Sequence, residues 1–214
     1  MTDCCNPSGY RDFFDEKEAR RSLRRYEKKG LHKLTRSFVD YLITRGMEGR
    51  TVLEGGGGIG AIQIELLDAG ADSAVNVELS GEYERVAADL LERRGLSDRV
   101  RRLVGDFTDL APDLKADDVV LNRVICCYPY VDRLMSAALA SSRRFVAATF
   151  PRDRLLAKLA VGVANTYCKL RRIDFRSFVH STDRIEAAAA SEGFEVVFRT
   201  RTLVWEAVVF ERVA

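Results

Sequence analysis

Hydrophobic residues occur along this chain in two patterns, short runs of adjacent apolar residues and longer stretches in which they recur every three or four positions. The short runs predict five β-strands, at 51–54, 74–78, 100–104, 118–122 and 144–149, and apolar–polar alternation predicts two more, at about 194–200 and 203–211. The longer stretches predict helices between the strands, at 60–69, 81–94, 131–142 and 182–192. Repeated strand–helix units of this length predict an α/β fold with a Rossmann-like, doubly wound, mostly parallel seven-stranded sheet. The last two strands follow each other directly, which predicts an antiparallel last strand.

Two further amphipathic stretches precede the first strand, at about 15–29 and 31–45, and glycines end both. They form a helical cap that either covers a ligand site or only packs against the core. We therefore divide the chain into an N-terminal arm and helical cap, residues 1–48, and a main domain, residues 49–214. A largely helical insertion is expected within the main domain at 151–180.

The composition is that of a globular protein, since 47% of the 214 residues are hydrophobic and 31% are charged. The N-terminus lacks the apolar core of a signal peptide, and no apolar run reaches the ~18 residues of a membrane span. Four of the five cysteines form the adjacent pairs Cys4–Cys5 and Cys126–Cys127, which fits a reducing cytoplasm better than a disulfide framework. We therefore expect a cytoplasmic protein. Because zinc-type cysteine spacing is absent, we predict no metal site.

Charge is distributed unevenly along the chain. Residues 11–36 carry ten Lys and Arg against five Asp and Glu, and residues 143–176 carry nine against two. Because the net charge is only +2, the remainder has an excess of ten negative charges. Two basic segments on an acidic body can attract an anionic small molecule, a membrane surface or nucleic acid. They can equally be the solvated faces of helices.

The motif with the clearest chemistry is the segment 51–60, TVLEGGGGIG, in which a predicted strand meets an acid and five glycines before a helix begins. Glycine lets a ligand lie directly on the backbone, and the free amides of a helix N-terminus favour a negative group. A phosphate-binding P-loop is excluded, because Ala61 and Ile62 follow Gly60 in place of Lys and Ser or Thr. The segment therefore predicts a nucleotide-type site of another kind.

The five glycines satisfy two nucleotide-binding templates. The dinucleotide motif GxGxxG, with a ribose-binding acid further on, matches Gly55, Gly57, Gly60 and Glu78. The motif GxGxG with an acid two residues before it matches Glu54, Gly56, Gly58 and Gly60. Three acids, Glu54, Glu78 and Asp106, fall at or just after the ends of successive strands, and such a rim repels a pyrophosphate. It suits a ligand with hydroxyls, amines and a positive charge, and S-adenosylmethionine has all three without a phosphate.

At these residues the chain resembles the class I S-adenosylmethionine-dependent methyltransferases. The resemblance covers roughly residues 50–150 and is carried by VLEGGGGIG (52–60), VNVELS (75–80), GDF (105–107) and DVVLNRV (118–124). It implies that S-adenosylmethionine is the cofactor and S-adenosylhomocysteine the product. The cofactor-binding residues that it implies are Glu54, Gly55, Gly56, Gly57, Gly58, Gly60, Glu78, Leu79, Asp106, Phe107 and Asn122. Under the resemblance Glu54 and the glycines line the methionine end of the cofactor, and Glu78 holds the ribose hydroxyls. Asp106 holds the adenine amine with Phe107 beside the ring, and Asn122 lies near the sulfonium.

The flanking segments look most similar to those of the magnesium-protoporphyrin O-methyltransferases. The shared features are YEKKG at 26–30, Tyr128-Pro129 after the fourth strand, and FVH at 178–180. Two positions depart from that group: Cys127 stands where the group has a histidine, and Phe14, which has no hydroxyl, stands at its N-terminal catalytic aromatic. The resemblance therefore implies the architecture and not the porphyrin activity.

We accordingly predict an S-adenosylmethionine-dependent methyltransferase acting on a small anionic or hydrophobic molecule, because the flanks expected to contact the acceptor are basic. Methyl transfer from a sulfonium depends mainly on positioning, so a general base is optional. The candidate catalytic residues are Tyr128, which could instead be packing, and His180, which could instead cap the helix near 182. Arg123 and Arg176 are candidate carboxylate clamps.

Three alternatives remain open at this stage: an NAD-dependent oxidoreductase, a non-enzymatic S-adenosylmethionine-binding protein, and a methyltransferase of nucleic acid or protein. Residues 122–125 read NRVI and lack the Asn-Pro-Pro-Tyr signature of amino-methylating DNA enzymes, so no nucleic-acid partner is expected. We expect a small-molecule partner, no transmembrane segment, and peripheral membrane contact at most. The acceptor atom and the oligomeric state are not predicted.

Overall fold

The computed structural model describes Tyr10 and residues 13–213. The Cys4–Cys5 pair lies outside the described residues. A seven-stranded sheet forms the centre of the protein, and its strands are β1 Thr51–Gly55, β2 Ser73–Glu78, β3 Val100–Val104, β4 Ala116–Asn122, β5 Ser142–Pro151, β6 Phe194–Arg201 and β7 Trp205–Arg212. The helices are α1 Glu16–Lys29, α2 Lys33–Thr44, α3 Ala61–Asp68, α4 Glu84–Arg94, α5 Phe107–Leu110, α6 Val131–Ser141, α7 Leu155–Leu170 and α8 Thr182–Ser191.

The strand order across the sheet is β3-β2-β1-β4-β5-β7-β6. β1 pairs in parallel with both β2 and β4, whereas β7 runs antiparallel to both β5 and β6. The chain therefore moves outward in one direction from β1 and in the other from β4, and a crevice opens at the carboxyl ends of these two strands. The predicted fold, including the antiparallel last strand, is confirmed.

Two apolar layers sandwich the sheet. Val52 and Leu53 are adjacent in β1, yet they belong to opposite layers, because successive strand side chains point to opposite faces. One layer contains Phe38 of α2 and Leu90 of α4, and the other contains Leu134 of α6. Burial on both faces explains why the strands appear in the sequence as continuous apolar runs.

The N-terminal helices form where the sequence predicts them, because both carry matching caps. The Asp15 carboxylate accepts a hydrogen bond from the Glu18 amide at 2.8 Å, and Gly30 ends α1 with its amide donating to the Tyr26 carbonyl. The His32 ring nitrogen Nδ1 accepts from the Leu34 amide and starts α2. These caps set where the two helices begin and end.

The insertion after β5 is less helical than expected. Only α7 is helical within 151–180, and the segment 173–180 has no regular structure. The helix ends because Arg172 adopts a left-handed backbone conformation with φ 57° and the Ile173 amide turns back to the Cys168 carbonyl.

Candidate functional site

The glycine loop joins β1 to α3 at the crevice. Gly58 has φ 56°, in the left-handed region, and a Cβ there would lie 3.2 Å from the Tyr83 ring. At Gly57 a Cβ would lie 2.6 Å from the carboxylate carbon of Glu54. Side chains are therefore excluded at both positions, and the backbone of the loop is left open to a ligand.

The two outer glycines of the motif have a different role. A Cβ on Gly55 would lie 2.6 Å from Phe107 and 2.8 Å from Leu121, so this residue allows β1 to pack closely in the core. Gly60 occupies the N-cap position of α3. Neither Gly55 nor Gly60 is among the described residues that line the cavity over the loop, so their predicted ligand contacts remain predictions.

Glu78, at the end of β2, is buried beside the loop. Its Oε2 accepts a hydrogen bond from the Gly58 amide at 2.8 Å, and its Oε1 accepts from the Ser80 amide at 3.0 Å. Burial raises the pKa of this carboxyl, and the two amides and Arg102 counteract the rise. The carboxylate is therefore fixed in orientation while it faces the cavity.

Arg102 of β3 holds the other side of the same peptide segment. Its Nη2 donates to the Gly58 carbonyl at 2.9 Å, and its guanidinium also donates to both carboxylate oxygens of Glu84. Gly58 is thus bonded through its amide to β2 and through its carbonyl to β3. We did not predict this residue, because no sequence spacing relates Arg102 to the glycine loop.

Asp106 follows β3 and caps the short helix α5. Its Oδ1 accepts from the Thr108 amide and hydroxyl at 2.8 and 2.9 Å. The Tyr128 hydroxyl lies 2.8 Å from Thr108 Oγ1 and donates to Asp106 Oδ2 at 3.2 Å. Tyr128 therefore orients Asp106, a partner that the sequence alone could not reveal.

Asn122 ends β4 next to the loop. Its Oδ1 accepts hydrogen bonds from the hydroxyls of Thr149 at 2.8 Å and Thr35 at 3.3 Å. These bonds fix the orientation of the side-chain amide. The next residue, Arg123, has φ 60°, which is uncommon for a side chain of this size and is typical of functional sites. Its amide is held by Thr149 Oγ1 at 2.8 Å.

These elements enclose a cavity of about 750 Å³, a size suited to a nucleoside cofactor together with part of a second molecule. The residues predicted from the sequence that line it are Gly56, Gly57, Gly58, Glu78, Leu79, Asp106, Phe107, Asn122, Arg123 and Tyr128. The helical cap closes its other side, since Phe13, Phe14 and Arg21 also line it. Tyr10 lines it too, and its hydroxyl donates to the Cys127 carbonyl.

His180 and Arg176 are not among the described residues that line this cavity. His180 Nε2 lies 2.8 Å from the Tyr128 carbonyl oxygen, and burial lowers the pKa of the imidazole. The alternative expectation, that His180 caps the helix at 182, is wrong: the N-cap residue of α8 is Ser181, which makes no side-chain cap bond. A catalytic role for Tyr128 or His180 stays a prediction.

A second cavity, of about 180 Å³, shares the lining residues Gly56, Gly57, Asn122 and Arg123 with the first; we call it the side recess. Arg25, His32 and Arg123 line it, and burial together with the mutual repulsion of these groups lowers the pKa of His32 and of Arg123. Neither Arg25 nor Arg123 forms an ion pair with a described residue, and Arg123 instead lies over the Trp205 ring at 5.0 Å. The side recess therefore favours an anion.

Glu54, at the start of the glycine loop, lines the side recess and is not among the described residues that line the large cavity. Burial raises the pKa of this carboxyl to about 8, although Arg102 opposes the rise. Within the described part of the chain, Glu54 Oε2 and both polar atoms of the neighbouring Asn76 side chain have no hydrogen-bond partner. Buried acceptors without partners are uncommon and costly. A positively charged ligand group beside the loop would lower the pKa of Glu54 and favour its ionised form.

Comparison with known proteins agrees with this geometry. No protein-family model matches the chain. The ribosomal protein L11 methyltransferase of Pasteurella multocida (strain Pm70) is 31% identical over 93 residues, which cover 44% of this chain and 31% of that protein. The chain thus matches less than a third of the length of this curated relative.

Solved structures match over almost the whole chain. The magnesium protoporphyrin IX methyltransferase from Synechocystis PCC 6803 with bound S-adenosylhomocysteine has a TM-score of 0.71 at 20% identity, covering 95% of this chain and 97% of that one. A second structure of that enzyme holds S-adenosylmethionine. The [4+2]-cyclase SpnF has a TM-score of 0.63 at 14% identity, covering 82% of this chain and 80% of that one.

The chain therefore has the fold of the S-adenosylmethionine-dependent methyltransferases, as the sequence predicted. The predicted enzyme class and cofactor agree with the two methyltransferases, since the structures of the magnesium protoporphyrin enzyme hold S-adenosylhomocysteine or S-adenosylmethionine. The match to the magnesium protoporphyrin methyltransferase includes the flanks, since it covers 95% of this chain.

Proposed function

We propose that this protein binds S-adenosylmethionine in the large cavity and transfers its methyl group to a small anionic molecule held at the side recess. The observation that carries the proposal is the set of three carboxylates, Glu54, Glu78 and Asp106, arranged around one glycine loop at the ends of adjacent strands. This rim complements amine, hydroxyl and sulfonium groups and repels a pyrophosphate, so it favours this cofactor over NAD.

The residues present fit the cofactor. Glu54 has a buried oxygen without a partner beside the loop and would pair with the ammonium group of the methionine end. Glu78 is already oriented by two amides and would accept hydrogen bonds from the ribose hydroxyls. Asp106, oriented by Thr108 and Tyr128, would accept from the adenine amine. When bound, the cofactor supplies a methyl group on a positively charged sulfur.

The side recess supports an acceptor with a carboxylate or a similar anion. Arg25 and Arg123 form no ion pair with a described acid, and the acid that shares the recess with them, Glu54, has a raised pKa. Asn122 lines both the recess and the large cavity. An acceptor anchored there would place its reacting atom toward the cofactor site, and the cap would exclude water. Positioning of this kind accounts for catalysis without assigning a general base.

The proposal is tested with methyl-labelled S-adenosylmethionine and a panel of small carboxylates, their neutral amide analogues and purified ribosomal protein L11. We expect label in anionic small molecules and not in their amides. Label in the protein alone would contradict the small-molecule assignment. No transfer to any acceptor, combined with tight cofactor binding, would favour a binding protein or another reaction on this fold, as the cyclase shows is possible.

Substitution of the recess residue Arg123 distinguishes binding of the acceptor from binding of the cofactor. Arg123→Gln should raise the KM for the acceptor by at least about tenfold and leave the Kd for S-adenosylhomocysteine nearly unchanged, because the lost hydrogen bonds are charge-assisted. Arg176→Gln, on the exposed insertion, is the matched control and should change neither value. If Arg123→Gln mainly raises the Kd of S-adenosylhomocysteine, the recess binds the cofactor's own carboxylate and the acceptor assignment fails.

A further inference from the structure

Helix α7 presents an unusually apolar surface to solvent. Its exposed large apolar side chains, with fractional exposures, are Leu155 73%, Leu156 50%, Leu159 59%, Val163 71%, Tyr167 56% and Leu170 78%. At about 100° per residue these six fall within an arc of about 120° on one side of the helix. We call this arc the α7 face. Half-exposed leucines occur singly on most proteins, but a continuous row marks an interaction surface.

The α7 face points away from the protein because the helix is held by its opposite side. Ala157 and Cys168 are the buried residues of α7, and Asn165 lies near them on the helical wheel. The Asn165 side chain exchanges two hydrogen bonds with the Ser177 backbone, at 2.8 and 2.9 Å. The attachment is made mainly through small and polar residues together with the half-buried Val161, and it leaves the six residues of the α7 face outside.

Basic residues outnumber acids in and next to α7, and Lys158 and Lys169 lie along one edge of the α7 face. Between 152 and 176 the only acids are Asp153 and Asp174, whereas the basic residues number seven: Arg152, Arg154, Lys158, Lys169, Arg171, Arg172 and Arg176. Lys158 pairs with Asp153 at 2.7 Å. The others in the helix and after it, from Lys169 to Arg176, are exposed. An apolar face bordered by lysine and arginine is the pattern of helices that lie in a bilayer interface.

We propose that the α7 face inserts into the surface of a bilayer that contains anionic lipids. A second copy of the chain is disfavoured as the occupant, since a two-fold contact through this face would bring two basic borders together. Anionic headgroups complement that border, and the acyl region accommodates the leucines. No helix in the described part of the chain could cross a membrane, so α7 would lie in the plane of the surface.

Helix α7 lies next to the large cavity. Tyr167 in the helix and Ile173 just after it line the large cavity, beside Phe13 and Phe14. A bilayer bound at the α7 face would therefore border the cavity. The binding itself does not depend on the proposed methyl transfer, and it is tested without any activity measurement.

The experiment is co-sedimentation of the full chain with vesicles of phosphatidylcholine alone or with about one third phosphatidylglycerol. We expect binding to the anionic vesicles that weakens with salt, and little binding to the neutral ones. The variant L155S/L159S/V163S should bind at least about tenfold more weakly, because three inserted side chains are lost. V213S, at an exposed valine outside the α7 face, is the control and should bind like the wild type.

Unchanged circular dichroism and unchanged S-adenosylhomocysteine affinity would show that the triple variant is folded. Absence of binding to both vesicle types, or equal binding by the triple variant, overturns the proposal. Sedimentation velocity tests whether a second copy of the chain binds the α7 face. A wild-type dimer that L155S/L159S/V163S converts to a monomer would show that a second copy occupies the α7 face, and it would equally overturn the proposal.

Discussion

Replacement of Glu54 by glutamine provides a quantitative test of the buried charge at the site. Glu54 is 2% exposed, and burial raises its pKa to about 8, against about 4.3 in an unfolded chain. Between these two values the folded state holds a proton that the unfolded state has lost, so the free energy of unfolding falls as pH rises from about 4.5 to 8. The pKa difference of about 3.7 corresponds to roughly 5 kcal/mol.

Glu54→Gln keeps the size of the side chain and removes its ionisation. The variant and the wild type should therefore be about equally stable at low pH, where the carboxyl is neutral. At pH 8 and above the variant should be more stable by about 3–5 kcal/mol, since the wild type must either hold a proton or bury a charge. Urea denaturation followed by circular dichroism across this pH range measures the difference. Parallel stability curves for the two proteins would refute the reasoning.

Ligand binding should reduce the stability difference between Glu54→Gln and the wild type, and it should not do so for a buried acid elsewhere. Saturating S-adenosylhomocysteine should remove most of the difference at pH 8, because its ammonium group would offset the buried carboxylate. Asp118→Asn is the matched control: Asp118 is fully buried, burial raises its pKa to about 6, and it faces Arg144 at 3.9 Å away from both cavities. The ligand should leave the Asp118→Asn difference unchanged. An equal ligand effect on both variants would show that the ammonium does not lie at Glu54.

Three further predictions concern the ligand contacts. Glu78→Ala should weaken S-adenosylhomocysteine binding by ~10–100-fold in a calorimetric titration, since it removes charge-assisted bonds from two hydroxyls; unchanged affinity would show that the ribose lies elsewhere. Gly58→Val should abolish binding, because φ 56° and the Tyr83 ring at 3.2 Å leave no room for a branched side chain; normal affinity would mean that the ligand does not contact this turn. Tyr128→Phe should raise the cofactor Kd by about 3–10-fold through loss of the Asp106 bond; a fall in kcat with unchanged Kd would instead support catalysis by the hydroxyl.

Much of the fold follows from the sequence, because its pattern is strong and local. The continuous apolar run of β1 is required by burial on both faces, and the glycines after it are required by the turn. The helix α1 is predicted because Asp15 and Gly30 mark its two ends. Such features depend on neighbours within a few residues, and those neighbours are visible in the sequence.

The parts of the site that could not be predicted depend on pairing across the sheet. Thr149 reaches Asn122 only because β5 pairs with β4 in that register. Arg102 reaches Gly58 across β2, and no spacing in the sequence relates the two. His180 lies beside the Tyr128 carbonyl, and no spacing in the sequence relates these two residues.

The central claim is that a carboxylate-lined cavity binds a nucleoside cofactor without phosphates. Isothermal titration of the purified protein with S-adenosylhomocysteine and, separately, with NAD tests it most directly. The account predicts micromolar or tighter binding of S-adenosylhomocysteine, lost in Gly58→Val, and no measurable heat with NAD. Binding of NAD without binding of S-adenosylhomocysteine would contradict it.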